Sequence, residues 1–394
     1  MDKLIYGIAF LVFAVSCGSY EDVYIPTTSF PEYSWTAAAD SSSTAFEDRY
    51  FNDTYHSFNN TFNGEIAQYD YWPEAHGLDV LVDAYLRTQD ARYKQAIYDF
   101  YDGVKKKNGD KWENTYYDDM GWHGLAHLRA LEATGDTRYE QSARDLWNAI
   151  TKGWTDTDGG GIKWRNTDDA DGNSKGIPAN GPAAIIAARR YQKYPSEVVD
   201  GLTDLQWAQR IYDWMKYNRT VLASGRVYEK FSDTNADYSY DVGTFMGTAI
   251  ELYNITKERV YLNDAIKVAN YHIGANINTN NRVMTDYGEQ AGGNGGGHDV
   301  NLFKGIFVRY FTILIQHPDL PATDKKRFIL FLKNNANYLW TNGTEKSPAI
   351  KFSYSWWEKP AADVTWGDLR SAISGATTIE AMALLEKEGY LSKE

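Results

Sequence analysis

The sequence has a single cysteine among 394 residues. No disulfide can form within the chain, and no cysteine-ligated zinc site can be built. Positive charge is also in short supply. With 40 Lys and Arg against 53 Asp and Glu, the net charge is −13, which argues against nucleic acid or an anionic membrane surface as a partner. The glycine-rich stretches lack the following Lys-Ser/Thr of a phosphate loop. No nucleophile motif supports Ser-His-Asp chemistry. The one long apolar run, Leu4 to Val15 after Lys3, is too short to span a bilayer comfortably but suits a signal sequence.

That run ends at Ser16-Cys17-Gly18-Ser19, which resembles the lipobox of a bacterial lipoprotein, with Ala14 where leucine is typical. The expectation is an exported chain lipidated at Cys17. Residues 1–17 would be the signal, 18–33 a polar tether and 34–394 one domain. What the sequence has in excess is aromatic side chains, 15% of the total, including 13 Trp and 30 Tyr. Part of that is packing. Alongside abundant Gly, Asn and Asp it also suits a carbohydrate binder, in which flat rings stack on sugar faces and short polar groups bond hydroxyls.

Apolar periodicity predicts twelve helices, near 35–51, 74–88, 91–107, 118–134, 137–153, 180–193, 202–219, 240–256, 258–275, 301–316, 323–340 and 370–388. Three of their connections are tight: Thr88-Gln89-Asp90, Thr134-Gly135-Asp136 and Thr256-Lys257-Glu258. They repeat a pattern, with an acidic residue two after the threonine and Tyr93, Tyr139 or Tyr261 five after it. Thr323 and Phe328 extend the pattern more loosely. Each tight connection reads as the turn of a helical hairpin. Six hairpins with tight turns at one end and long loops at the other predict an all-α fold, an (α/α)6 barrel. Even-numbered helices would form its inner ring, and every long loop would lead into an inner helix.

One of those loops delivers Tyr116-Tyr117-Asp118-Asp119-Met120-Gly121-Trp122 to a helix start. A helix cap explains one aspartate. It does not explain two, flanked by aromatics. Adjacent carboxylates repel, so one tends to hold its proton while the other stays ionised, the division of labour between a glycosidase's acid and its nucleophile. The other loops on that face add Trp72, Trp164, Arg165, Asn180, Tyr240, Asp241, Asp299 and Lys304, which tips the reading towards catalysis. The run Gly159-Gly160-Gly161 is read as backbone able to approach a ligand closely. Asp169, Asp171 and Asn173 fail the EF-hand pattern at Ser174 and Asn180. His123 and His127 lie one turn apart without a third ligand, and are read as core rather than metal ligands. No metal or cofactor is expected.

Taken together, Tyr117-Asp118-Asp119-Met120-Gly121-Trp122, Gly159-Gly160-Gly161-Ile162-Lys163-Trp164, Asn180, Tyr240-Asp241-Val242-Gly243 and Phe303-Lys304-Gly305-Ile306-Phe307 resemble glycoside hydrolase family 76, the endo-α-1,6-mannanases. The resemblance spans about residues 35–388 and implies an (α/α)6 barrel, an α-mannan substrate, Asp118 as nucleophile and Asp119 as acid/base. Trp72, Tyr117, Trp164, Arg165, Asn180, Tyr240, Asp241, Asp299 and Lys304 would hold the sugar. Lys163-Trp164 departs from relatives that keep two aromatics there. Consecutive α-carbons are about 3.8 Å apart, so two aspartates reach the roughly 5–5.5 Å separation of a retaining pair more easily than the wider inverting one. The protein is expected to act as a monomer. Alternatives from other classes are a glycan-binding protein on an idle barrel, a transglycosylase and a sugar epimerase.

Overall fold

The computed structural model describes residues 28–61, 70–229, 236–287, 299–360 and 368–391. Cys17, the 1–17 signal and the first part of the 18–33 tether lie outside the described residues, as do the glycines at 292–297 and Trp366. Within them are twelve helices: α1 (Trp35–Tyr50), α2 (Tyr71–Thr88), α3 (Ala91–Lys107), α4 (Tyr117–Thr134), α5 (Thr137–Thr151), α6 (Ile177–Lys193), α7 (Asp204–Arg219), α8 (Ser239–Thr256), α9 (Arg259–Ala275), α10 (Val300–Gln316), α11 (Ala322–Thr341) and α12 (Asp368–Lys387). The even-numbered helices pack each on the next, and α12 packs back on α2, closing an inner ring. Odd-numbered helices cover the outside of that ring. The fold is an (α/α)6 barrel.

Two helices begin about one turn before their apolar pattern. Pro73 and Pro178 sit in the first turns of α2 and α6, where an N–H has no helical partner to lose. In contrast α7 starts late. Thr203 accepts from Gln206 N while the Gln206 side chain accepts from Thr203 N, a reciprocal cap that fixes the start at Asp204. Leu202 and Thr203 instead pair with Val198 and Val199 in one of four short antiparallel strand pairs among the described residues. These pairs are too short to show period-two patterning, and the sequence reading did not anticipate them.

The threonine repeat has a local cause. In all three tight turns the threonine Oγ1 donates to the carbonyl four residues back and accepts from the acidic residue's N–H. The residue between adopts a left-handed conformation, at φ 58°, 75° and 61°. Asp90 and Asp136 then cap the following helix by accepting from Arg92 N and Arg138 N. Thr323 does not share this role, because it lies inside α11.

Inner helices approach closely where glycine faces the neighbour. A Cβ on Gly243 would lie 2.9 Å from Phe307 Cα, and one on Gly305 would lie 2.7 Å from Ser374 Cα. These contacts hold the N-terminal halves of α8, α10 and α12 close together. No helix among the described residues is long and apolar enough to cross a membrane.

Candidate active site

At the loop end the first turns of the inner helices surround a cleft of about 440 Å3, lined by Asp70, Trp72, Tyr116, Asp118, Asp119, Trp122, Trp164, Tyr240, Asp299 and Phe303. Asp118 and Asp119 enter it from the first turn of α4, whose N-cap, Tyr116, offers no side-chain cap. Backbone pairing sets the adjoining wall. Tyr117 N donates to Trp164 O at 2.9 Å, and Asn166 N donates to Thr115 O at 2.9 Å, so the 162–166 segment runs beside the entry to α4. This places Trp164 Nε1 3.0 Å from Asp118 Oδ2, to which it donates. Asp118 Oδ1 accepts from Asp119 N at 3.1 Å. The Asp119 carboxyl has no hydrogen bond among the described residues.

The two carboxyls therefore share a location but differ in support. Each is half-buried, open to the cleft and enclosed by protein elsewhere. Burial pushes the Asp118 carboxyl up to about 7, held back by the bonds from Asp119 N and Trp164. Burial raises Asp119 well above the carboxylate range, and the charges of Asp118, Asp70 and Asp299 raise it further. With nothing donating to it, Asp119 is the carboxyl that keeps its proton. An ionised carboxylate beside a protonated one can attack an electrophilic carbon while supplying a proton to its leaving group.

Across the cleft, Tyr240 and Phe303 stack with ring centroids 3.8 Å apart and planes at 11°. Tyr240 OH donates to Glu229 Oε1 at 3.1 Å. Asp70 precedes α2, Asp299 precedes α10, and both pair with the buried Arg370 of α12.

A profile described as Glycosyl hydrolase family 76 matches residues 34–394. The chain belongs to glycosyl hydrolase family 76. The solved family 76 α-1,6-mannanase of Salegentibacter sp. HEL1_6 is similar at 36% identity, with a TM-score of 0.79 over 89% of this chain and 99% of that one. The Lin0763 protein of Listeria innocua is similar at 29% identity, with a TM-score of 0.78 over 92% and 100%. Among curated proteins, a putative mannan endo-1,6-alpha-mannosidase of Schizosaccharomyces pombe is 29% identical over 206 residues, covering 47% of this chain and 46% of that protein. The chain thus spans about half the length of the curated relatives it matches first.

Within this family 76 barrel the residues expected to hold sugar, Arg165 apart, divide into two groups. Trp72, Trp164, Tyr240 and Asp299 line the cleft. Tyr117, Asn180, Asp241 and Lys304 are buried behind it. The Tyr117 ring packs towards Gly153, where a Cβ would come within 2.8 Å. Asn180 clamps the Trp164 segment, accepting from Ile162 N at 2.8 Å and donating to Ile162 O and Gly176 O. Lys304 donates to Tyr354 O at 2.7 Å and lies over the Trp356 ring. Arg165 stands over the outer faces of Trp164 and Tyr116, tied to Asp169 at 2.8 Å. Asp169, weighed as a calcium ligand, instead closes its own turn by accepting from Gly172 N.

Two expectations need correction. The glycines at 159–161 do not approach the cleft: a Cβ on Gly160 or Gly161 would strike Trp154 or Trp214 at 2.6 Å, and Gly160 O accepts from Lys175 Nζ. The loop aromatics face the cleft only in part: Trp72, Tyr116 and Trp164 line it, whereas Tyr71, Trp112 and Trp356 are buried. His123 and His127 are fully buried, bonded to Tyr71 O and Ser142 Oγ, and burial holds both neutral. Among the described residues no three His, Cys, Asp or Glu side chains are grouped to hold a metal.

The sequence reading left Asp70, Tyr116, Trp122 and Phe303 out of the sugar-binding set, although Tyr116, Trp122 and Phe303 lie in the motifs it singled out, and it did not consider Arg370. Helical spacing contained part of that signal. Trp122 lies four residues after Asp118, and Phe303 four after Asp299, so each shares its aspartate's helix face. Arg370 carries no such local sign.

Proposed function

We propose that this chain hydrolyses α-1,6-mannosidic bonds of a mannan backbone by retaining double displacement, with Asp118 as nucleophile and Asp119 as acid/base. The observation that carries the reading is the asymmetry of the pair. Asp118 accepts two hydrogen bonds that favour its ionised form, whereas Asp119 accepts none and sits among other carboxylates. In the first step an Asp118 oxygen bonds to the anomeric carbon as the glycosidic C–O bond breaks. The Asp119 proton passes to the departing oxygen. In the second, Asp119 as carboxylate takes a proton from water, whose oxygen displaces Asp118 and returns the original anomeric configuration.

A similar solved structure supports the substrate and the involvement of an adjacent aspartate pair. It is an inactive variant of the Salegentibacter α-1,6-mannanase, with two consecutive aspartates replaced by asparagine, in complex with α-1,6-mannotriose. The curated relatives' names, mannan endo-1,6-alpha-mannosidase, point the same way. Reducing-sugar release from α-1,6-mannan, lost in Asp118→Ala, tests the activity. Proton NMR of the first product tests the mechanism: α-mannose appearing first is expected, and β-mannose first would rule out a covalent intermediate.

Export and anchoring belong to the same proposal. Lipidation at Cys17 would tether the barrel to a membrane while the sugar remains its substrate. Cys17→Ala is expected to move activity from the membrane fraction to the soluble one, and activity retained in the membrane would count against the anchor.

A further inference from the structure

Asp70, Asp299 and Arg370 come from three different inner-helix starts and meet at one wall of the cleft. The Arg370 side chain is only 4% exposed. Its Nη2 donates to Asp70 Oδ2, and its Nε donates to Asp299 Oδ1 at 3.1 Å. Its guanidinium also lies 5.4 Å from the centre of the Trp72 ring, another cleft residue. One buried cation thus fixes three residues of the cleft wall.

Each aspartate spends only one oxygen on the arginine. Asp70 Oδ1 and Asp299 Oδ2 have no hydrogen bond among the described residues, and the side chains keep 28% and 59% of their exposure. A stability role alone would be met by one carboxylate on one guanidinium. Two carboxylates, each with an oxygen left over, line the same cleft as Trp72 and offer a pair of held acceptors in a cleft that also carries an apolar ring. Ionised carboxylates only accept hydrogen bonds. The matching ligand therefore brings donors on one polar edge and C–H groups on a flat face, and it carries no negative charge. A neutral pyranose with adjacent hydroxyls has that form.

We propose that Asp70 and Asp299 bind the hydroxyls of a mannosyl unit beside Asp119, and that Arg370 is the positioning residue that holds them as a pair. This inference rests on the hydrolase reading, which supplies the sugar. A hydrogen bond to a charged group is stronger than one between neutral groups, so loss of one acceptor is expected to weaken binding about tenfold or more. Because the two aspartates work as a unit through Arg370, their loss should not add.

The test is steady-state kinetics of the full chain on α-1,6-mannotetraose. Asp70→Asn and Asp299→Asn are expected to raise KM about tenfold with kcat within about threefold. Arg370→Met should raise KM at least as much, Asp299→Asn added to it should raise KM little further, and Arg370→Lys should recover part of the loss. An unchanged KM in both asparagine variants would overturn the clamp, as would a fall in kcat alone. Should Arg370→Met fail to fold, the near-isosteric asparagine variants decide without it. If the wild type does not cleave the oligosaccharide, the hydrolase reading fails. Calorimetry of the same sugar then still decides the clamp, with Asp299→Asn expected to bind about tenfold more weakly and equal affinity refuting it.

Discussion

The two ends of the barrel use the same charged side chains to opposite effect. At the turn end a cavity of about 190 Å3 is lined by Arg87, Arg129, Arg189 and Arg309. Each of these cations has its acid: Arg87 bonds Glu380, Arg189 bonds Glu251, and Arg129 and Arg309 share Asp79 and Asp83. At the loop end Asp70, Asp118, Asp119 and Asp299 face one cleft, and Arg370 pairs with only two of them. The contrast is plainest between Asp79 and Asp118. Burial pushes both upward, but Arg309 and Arg129 overcome it and hold Asp79 below the ordinary carboxylate range, whereas Asp118 rises to about 7. Where charge serves the fold it is neutralised in place; where it serves chemistry it is left in excess.

The sharpest way to test that contrast is to neutralise one member of the excess. Asp118→Asn should lower kcat on α-1,6-mannan by at least about 10,000-fold, since a neutral amide cannot replace the carboxylate as the nucleophile. Far-UV circular dichroism should show the helices unchanged. The matching change at the turn end has the opposite signature. Arg309→Met leaves Asp79 and Asp83 with Arg129 alone and should cost about 3–5 kcal/mol in denaturant unfolding. Its kcat/KM on the folded protein should stay within about twofold of wild type.

A smaller effect tests the cost of the excess itself. The folded pKa of Asp118 lies above its unfolded value, so the folded state binds the proton more tightly. Its ionised form therefore destabilises the fold increasingly as pH rises from about 4 to 7, and fully above that. Asp118→Asn should accordingly raise Tm at pH 8 by about 1–3 °C, with the gain shrinking towards pH 4. The same protonation should give wild-type kcat/KM an acidic limb centred at about pH 7, with Asp119, raised well above the carboxylate range, setting the alkaline limb. Weakest of all should be Thr134→Val at a tight turn. It removes the bonds to Ala130 O and from Asp136 N and should cost about 0.5–1.5 kcal/mol, without moving the pH profile.

The turn end was readable because its causes are local. A threonine and a left-handed residue, with an acidic cap in two of the three turns, act within five positions, so the repeat at Thr88, Thr134 and Thr256 announced three hairpins. Periodicity then supplied the twelve helices and their order. The adjacent aspartates were legible for the same reason: neighbours in sequence are neighbours in space. Composition also placed aromatics and acids on one face, but it could not say which of them turn inward. Tyr116 and Tyr117 are consecutive, yet one lines the cleft and the other packs towards Gly153.

The sequence by itself determined the barrel, the carboxyl pair and the face that bears it, because these follow from spacing along single helices and turns. Only the tertiary structure decided which side chains meet on that face. Whether Asp118 is supported depends on Trp164, which lies 46 residues away and is held there by strand-like pairing and by Asn180. Whether Asp70 and Asp299 act together depends on Arg370, 300 residues from Asp70. Such contacts leave no period and no motif in the chain. They exist because closing six hairpins into a ring brings helix starts within hydrogen-bond reach of one another.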